Sequence, residues 1–177
     1  YIKVFSFCLI EIPFCSGVYD VIEYIEISIV NQGEISDIPI INFDKAPSRA
    51  KRKVKQNDIL LSTVRPNLEH YAFIKTANSY TIASTGFAVI TAKDIEPRFL
   101  YYVLTSQNYT DYFSMIAEGH TSAYPAMNPD VIENVEIPVP PKEEQKRIAH
   151  ILGTLDDKIE LNQRMNQTLE AIARAVF

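Results

Sequence analysis

From Ile148 onward the apolar positions step by four and three through Ile148, Leu152, Leu155, Ile159, Asn162, Asn166, Leu169, Ala173 and Val176. This a/d heptad spacing predicts a helix with one narrow seam turned toward a partner helix. Asn162 and Asn166 weaken that seam but fix its register, because a buried amide is satisfied only by a matching polar partner. The helix is expected over residues 141–177, with Pro141 in the first turn and Glu143 and Glu144 at the positive end of the dipole. At 1.5 Å per residue it would span roughly 54 Å, against roughly 35 Å across a globule built from residues 1–140. It should therefore project and pair. Gly153 is expected to be its weak point, a kink after which Thr154 and Asp157 recap the helix.

Upstream the period shortens. Residues 2–12 and 21–30 read as strands with Gly17 in the turn between them, and residues 35–43 as another extended segment. Residues 46–55 lack apolar periodicity and are expected to form a loop or an exposed hairpin arm. The apolar run 59–64 reads as a central strand ending in Arg65-Pro66-Asn67, and 71–74 and 86–91 read as further strands. Residues 97–117 fit one amphipathic helix closed by Gly119 as C-cap. A polar loop, residues 120–127, leads to a restart at Asn128 and an edge strand over 135–139. The predicted class is α/β (α+β): a mixed, β-rich domain over 1–140 followed by a long helix of coiled-coil type over 141–177.

Charge sharpens this picture. The net charge of −5 argues against a protein that coats nucleic acid indiscriminately, yet residues 45–75 carry eight bases against two acids. Such a basic block in an acidic chain suggests a focused anionic contact. Ser48, Arg49, Lys51, Arg52, Lys53 and Lys55 suit phosphates, which supply affinity and register without sequence information, although on the residues alone a solvated charged loop is the simpler explanation. Arg65, Asn67, Thr121, Ser122, Tyr124 and Asn128 are residue types that read base edges, although turn chemistry alone would also place several of them in loops. His70 and His120 are candidates for phosphate contacts, and His150 reads as a structural or surface residue.

Catalytic signatures are missing: no glycine-rich phosphate loop, nucleophile elbow, metalloprotease motif or metal-ligand spacing occurs. Cys8 and Cys15 indicate neither a zinc site nor a disulfide framework and are expected as buried thiols in a reducing cytosol. No apolar run approaches the roughly 18 residues that span a bilayer.

Three stretches carry a resemblance: Ala46-Pro47-Ser48-Arg49-Ala50-Lys51-Arg52, Asp58-Ile59-Leu60-Leu61-Ser62-Thr63-Val64-Arg65-Pro66-Asn67, and Ile137-Pro138-Val139-Pro140-Pro141-Lys142-Glu143-Glu144-Gln145-Lys146-Arg147-Ile148-Ala149. With Leu155-Asp156-Asp157-Lys158-Ile159-Glu160-Leu161-Asn162 they make the chain similar, from about Tyr24 onward, to half of the specificity subunit of type I restriction-modification systems. The resemblance implies a non-catalytic, cytoplasmic target recognition domain that reads half of a bipartite site in double-stranded DNA. It also implies a spacer helix that docks methyltransferase subunits and, indirectly, a restriction motor. S-adenosylmethionine and ATP are then expected on those partners, and no cofactor on this chain. With one recognition domain, the chain is expected to pair with itself or with a second recognition half. One alternative stays open on the residues alone, an interaction module that oligomerises without DNA; a recognition module of a fused restriction-methylation enzyme would require methyltransferase motifs in the same chain, and none are found in this sequence.

Overall fold

The computed structural model describes residues 1–6, 8–10, 19–120 and 125–176. In chain order these form β1 (Ile2–Lys3), β2 (Cys8–Ile10), β3 (Val21–Ile25), β4 (Val30–Asn31), β5 (Glu34–Ile35), β6 (Ile40–Asn42), β7 (Ala50–Lys53), β8 (Ile59–Ser62), β9 (Tyr71–Phe73), β10 (Thr81–Ser84) and β11 (Phe87–Ala92). There follow α1 (Pro97–Leu104), α2 (Gln107–His120), α3 (Pro129–Asn134), β12 (Glu136–Ile137) and α4 (Lys142–Val176). The expected strand over 2–12 is thus broken into β1 and β2 around a short 3₁₀ turn, Val4–Ser6. Gly17 and Cys15 lie outside the described residues, as does the side chain of Cys8.

One four-stranded sheet runs β2-β11-β8-β9 and is antiparallel. The other runs β6-β3-β10-β7, with β10 parallel to β3 and antiparallel to β7. The pleat explains why Ile59, Leu60 and Leu61 of β8 are apolar without interruption. Ile59 and Leu61 join Ala88 and Ile90 in a core shared with α1 to α3 and the start of α4. Leu60, between them, points the other way and joins Phe87, Val89, Ile25 and Ala83 in the core between the two sheets. A smaller cluster of Ile22, Tyr24, Ala50 and Ile82 lines the outer face of the second sheet. Asp58, buried at the start of β8, accepts from the Thr91 hydroxyl and the Lys55 N–H, each at 2.7 Å.

Four local expectations change. The basic block is not a loop throughout, since Ala50–Lys53 is edge strand β7. Lysines on an edge blunt strand-to-strand aggregation and need no apolar period. Residues 97–117 form two helices. The Thr105 and Ser106 hydroxyls donate to the Tyr101 and Val103 carbonyls at 2.8 Å, and Ser106 then offers its own carbonyl to start α2. Gly119 does not close α2, which reaches His120. Finally, α4 runs through Gly153 as one helix of 35 residues, and the Thr154 hydroxyl bonds back to the His150 carbonyl at 2.7 Å instead of recapping.

The first half of α4 lies on the domain. Gln145, Ala149 and Gly153 are buried on one face, while every residue from 161 to 176 is exposed. Gln145 accepts from the Glu96 N–H at 3.0 Å and donates to the Pro140 carbonyl at 2.8 Å, tying the helix start to the start of α1. Further along, Tyr102 donates to Asp156 at 2.6 Å, and Lys75 reaches both Asp157 and Glu160. The Lys75 hydrogen bonds hold both carboxyls below their usual range. Folded values below the unfolded ones contribute stability above the ordinary carboxylate range, and that contribution is lost as pH falls through the lowered folded values. With the carboxylate side chains 56% and 38% exposed, these pairs are worth only about 0–1 kcal/mol. Lys75→Met should therefore change neutral-pH stability by no more than about 1 kcal/mol. It should also flatten the acid limb of a stability profile measured by urea unfolding, and a variant as acid-sensitive as the parent would contradict this.

Candidate nucleic-acid interface

The turn joining β10 to β11 carries the chain from one sheet to the other, and it organises one end of the domain. On one side the Thr85 N–H donates to the Arg49 carbonyl at 2.8 Å. On the other, the Gly86 carbonyl accepts from Thr63 through its N–H at 2.9 Å and its hydroxyl at 3.0 Å. The Thr63 carbonyl in turn accepts from the Met127 N–H at 2.9 Å, Val64 bridges to Ala126, and the Arg65 N–H donates to the Pro125 carbonyl at 2.8 Å. Thus the basic block, the loop after β8 and the segment at Pro125–Met127 are bonded to one another around a single turn. Thr63, Thr85 and Gly86 were not among the residues expected here, although Ser84-Thr85-Gly86 is a legible turn signal.

Each arm presents polar side chains outward. A turn closed by the Ala50 N–H on the Pro47 carbonyl at 2.9 Å sets Ser48 and Arg49 at its exposed tip, and Lys51 is exposed just beyond. Arg52 and Lys53 are half-buried in β7, and Arg52 is engaged within the protein. Asn67 is exposed on a 3₁₀ turn, Pro66–Leu68, flanked by two residues in left-handed backbone: Arg65 at φ 48° and Glu69 at φ 56°. Such a backbone costs a side-chain-bearing residue roughly 1–2 kcal/mol and persists only where neighbours over-determine it. Here the Arg65–Pro125 bond holds one end. At the other, Gln32 donates to the Glu69 carbonyl at 3.0 Å and to its carboxylate at 2.7 Å. His70 serves the same scaffold, with Nδ1 on the Val30 carbonyl at 2.6 Å, so that nitrogen is not available to a phosphate.

Thr121, Ser122 and Tyr124 lie outside the described residues. Asn128 is exposed at the start of α3. Among the described residues no cluster of His, Cys, Asp or Glu could hold a metal ion, and no helix is long and apolar enough to cross a membrane.

A second exposed surface lies on α4. Of the expected seam, Leu152 is half-buried, whereas Leu155, Ile159, Asn162, Asn166, Leu169, Ala173 and Val176 are exposed. Ile151, Met165 and Ile172 are exposed as well, so the apolar surface is wider than one a/d line.

The profile of the Type I restriction modification DNA specificity domain matches residues 16–171. Over 166 residues the chain is 37% identical to the type I restriction enzyme HindI specificity subunit of Haemophilus influenzae, covering 90% of this chain and 36% of that protein. A chain solved in work on complex assembly and conformational transition of the type I restriction-modification system superposes with a TM-score of 0.75 at 28% identity. The HsdS subunit from Thermoanaerobacter tengcongensis does so with a TM-score of 0.72 at 28% identity. Each superposition covers 93% of this chain and 43% of the other. The chain therefore spans well under half the length of these proteins.

Proposed function

The chain belongs to the family of type I restriction-modification DNA specificity domains, and from that premise we propose that it reads one half of a bipartite DNA site for a methyltransferase complex. The observation that supports this reading best is the meeting of Arg49, Arg65 and Pro125–Met127 around the Thr85–Gly86 turn. Ser48, Arg49 and Lys51 lie on the phosphate backbone, fixing register, with Arg52 and Lys53 adding positive charge behind them. Arg65 and Asn67, together with Thr121, Ser122 and Tyr124, meet base edges. Arginine suits guanine, asparagine suits adenine, and hydroxyls suit either. The chain itself performs no chemistry. It positions methyltransferase subunits that dock on α4, and its exposed helical surface pairs with a second copy or a second recognition half. The assembly acts in the cytoplasm.

The two groups of residues predict different losses. Arg49→Ala with Lys51→Ala should weaken binding at all sequences and lower the slope of log affinity against log salt by about two, one per lost phosphate contact. Fluorescence anisotropy with several duplexes over a salt series measures this, and a loss confined to one sequence would refute the phosphate role. Arg65→Ala or Asn67→Ala should instead relax preference at individual base positions, each worth about 1–3 kcal/mol. Competition among single-base variants of the site reads that, and equal weakening at every position would sink the assignment.

A further inference from the structure

Gly153 and Arg98 account for each other. A Cβ on Gly153 would stand 2.2 Å from the Arg98 Nη1 and 3.3 Å from its Cζ, so the guanidinium occupies the space a side chain would take. Arg98 is held there from two further directions. Its Nη2 pairs with Asp157 at 3.5 Å, one turn beyond the glycine, and its Cζ lies 5.6 Å from the centre of the Phe73 ring. A glycine inside a helix costs about 1 kcal/mol against alanine, and close approach of the Arg98 side chain is the physical reason for one at this place.

We propose that Arg98 is a positioning residue, a bolt seated in the Gly153 notch that holds the recognition domain at one angle on α4. Gln145 anchors the helix start, and Tyr102 and Lys75 meet Asp156, Asp157 and Glu160 farther along through side chains at the surface, contacts that can follow a swing. The buried seat farthest along the axis, roughly 12 Å from Gln145 at 1.5 Å per residue, is Gly153. Beyond residue 160 the helix is exposed throughout, so its direction is set by these contacts. Resting on the function proposed above, the bolt then also sets the spacing between half-sites that an assembly accepts, because any swing at Gly153 is carried along the helix.

The two partners can be separated by size. Gly153→Ala improves helix propensity yet evicts the guanidinium, which is the end of a flexible side chain beside an open cleft of about 350 Å³ lined by Phe73, Lys75 and Glu96. Arg98→Ala removes the bolt and leaves the notch. Spin labels carried on non-canonical residues at Ser79 and Gln167, diluted with unlabelled chain, report the angle as a distance distribution. The parent should give one narrow peak. Each variant should lose it, and the double variant should be no broader than either, since both remove the same contact. A narrow, parent-like peak in Gly153→Ala would overturn the inference. Binding by the full complex to duplexes of graded half-site spacing is read separately, and the variants should lose the single optimum there. Broadened peaks with no duplex bound by the parent at any spacing would uphold the bolt and sink the DNA reading instead.

Discussion

Phe87→Ala is expected to lower stability by about 3–5 kcal/mol. Phe87 is fully buried at the first position of β11, opposite Ser62 of β8, in the core between the two sheets. The residues around it, Leu60, Val89, Ile25 and Ala83, belong to strands of two different sheets. They cannot collapse together without moving those sheets, so the cavity term should be felt in full. Domains of this size hold about 5–15 kcal/mol in all, which makes the loss a large fraction of the total. Phe87 also directly follows Gly86, the residue that holds Thr63. Thr63 amide protection from hydrogen exchange should therefore fall along with the urea midpoint. A loss below about 1 kcal/mol, outside the range for truncating a buried aromatic, would mean that the sheets are not packed as described.

A second large effect is expected in assembly. Leu155 and Leu169 lie on the same line of α4, and both are exposed. Leu155→Asp with Leu169→Asp should leave the folding of one chain almost untouched, because surface changes of this kind stay within about 0.5 kcal/mol. If the helix pairs as proposed, each leucine forgoes about 1.5–3 kcal/mol of burial, and two carboxylates face an apolar surface. Association should weaken by roughly a hundredfold or more, since each 1.4 kcal/mol is tenfold. Sedimentation of parent and variant across a concentration series measures it. Unchanged association would place the interface elsewhere.

The core of the fold was legible where one physical signal dominated. Ile59 to Leu61 reads as the heart of a central strand because no polar side chain interrupts it, and α4 reads as a helix because its period persists to Val176. The family resemblance carried by Ala46–Arg52, Asp58–Asn67 and Ile137–Ala149 holds, as the matching profile over residues 16–171 shows. Strand β10 was missed because Thr81 and Ser84 look like turn residues until a partner is seen. Thr81 is buried with its hydroxyl satisfied on both sides, donating to Glu23 at 2.6 Å and accepting from the Asn78 N–H at 2.8 Å. The break between α1 and α2 escaped because apolar spacing continues across Thr105 and Ser106, whose hydroxyls end one helix and start the next.

The candidate interface was legible as two lists of residue types but not as one place. What unites them is backbone bonding between Arg49 and Thr85, Thr63 and Gly86, and Arg65 and Pro125. Backbone groups carry no residue identity, so such pairings leave no trace in composition. Gly153 is the opposite case. The sequence shows a glycine inside a helical period but not its reason, because the cause is Arg98, a residue of another helix.

On the function proposed above, DNA is selected by sequence at the end of the domain built around Thr85 and Gly86. The most direct measurement is recovery of bound duplexes from a random-sequence library by the chain assembled with type I methyltransferase subunits, followed by sequencing. The expected result is enrichment of an interrupted motif, the same motif at lower yield for Arg49→Ala with Lys51→Ala, and an altered motif for Arg65→Ala. A library recovered without enrichment, or a motif indifferent to all three residues, would contradict it.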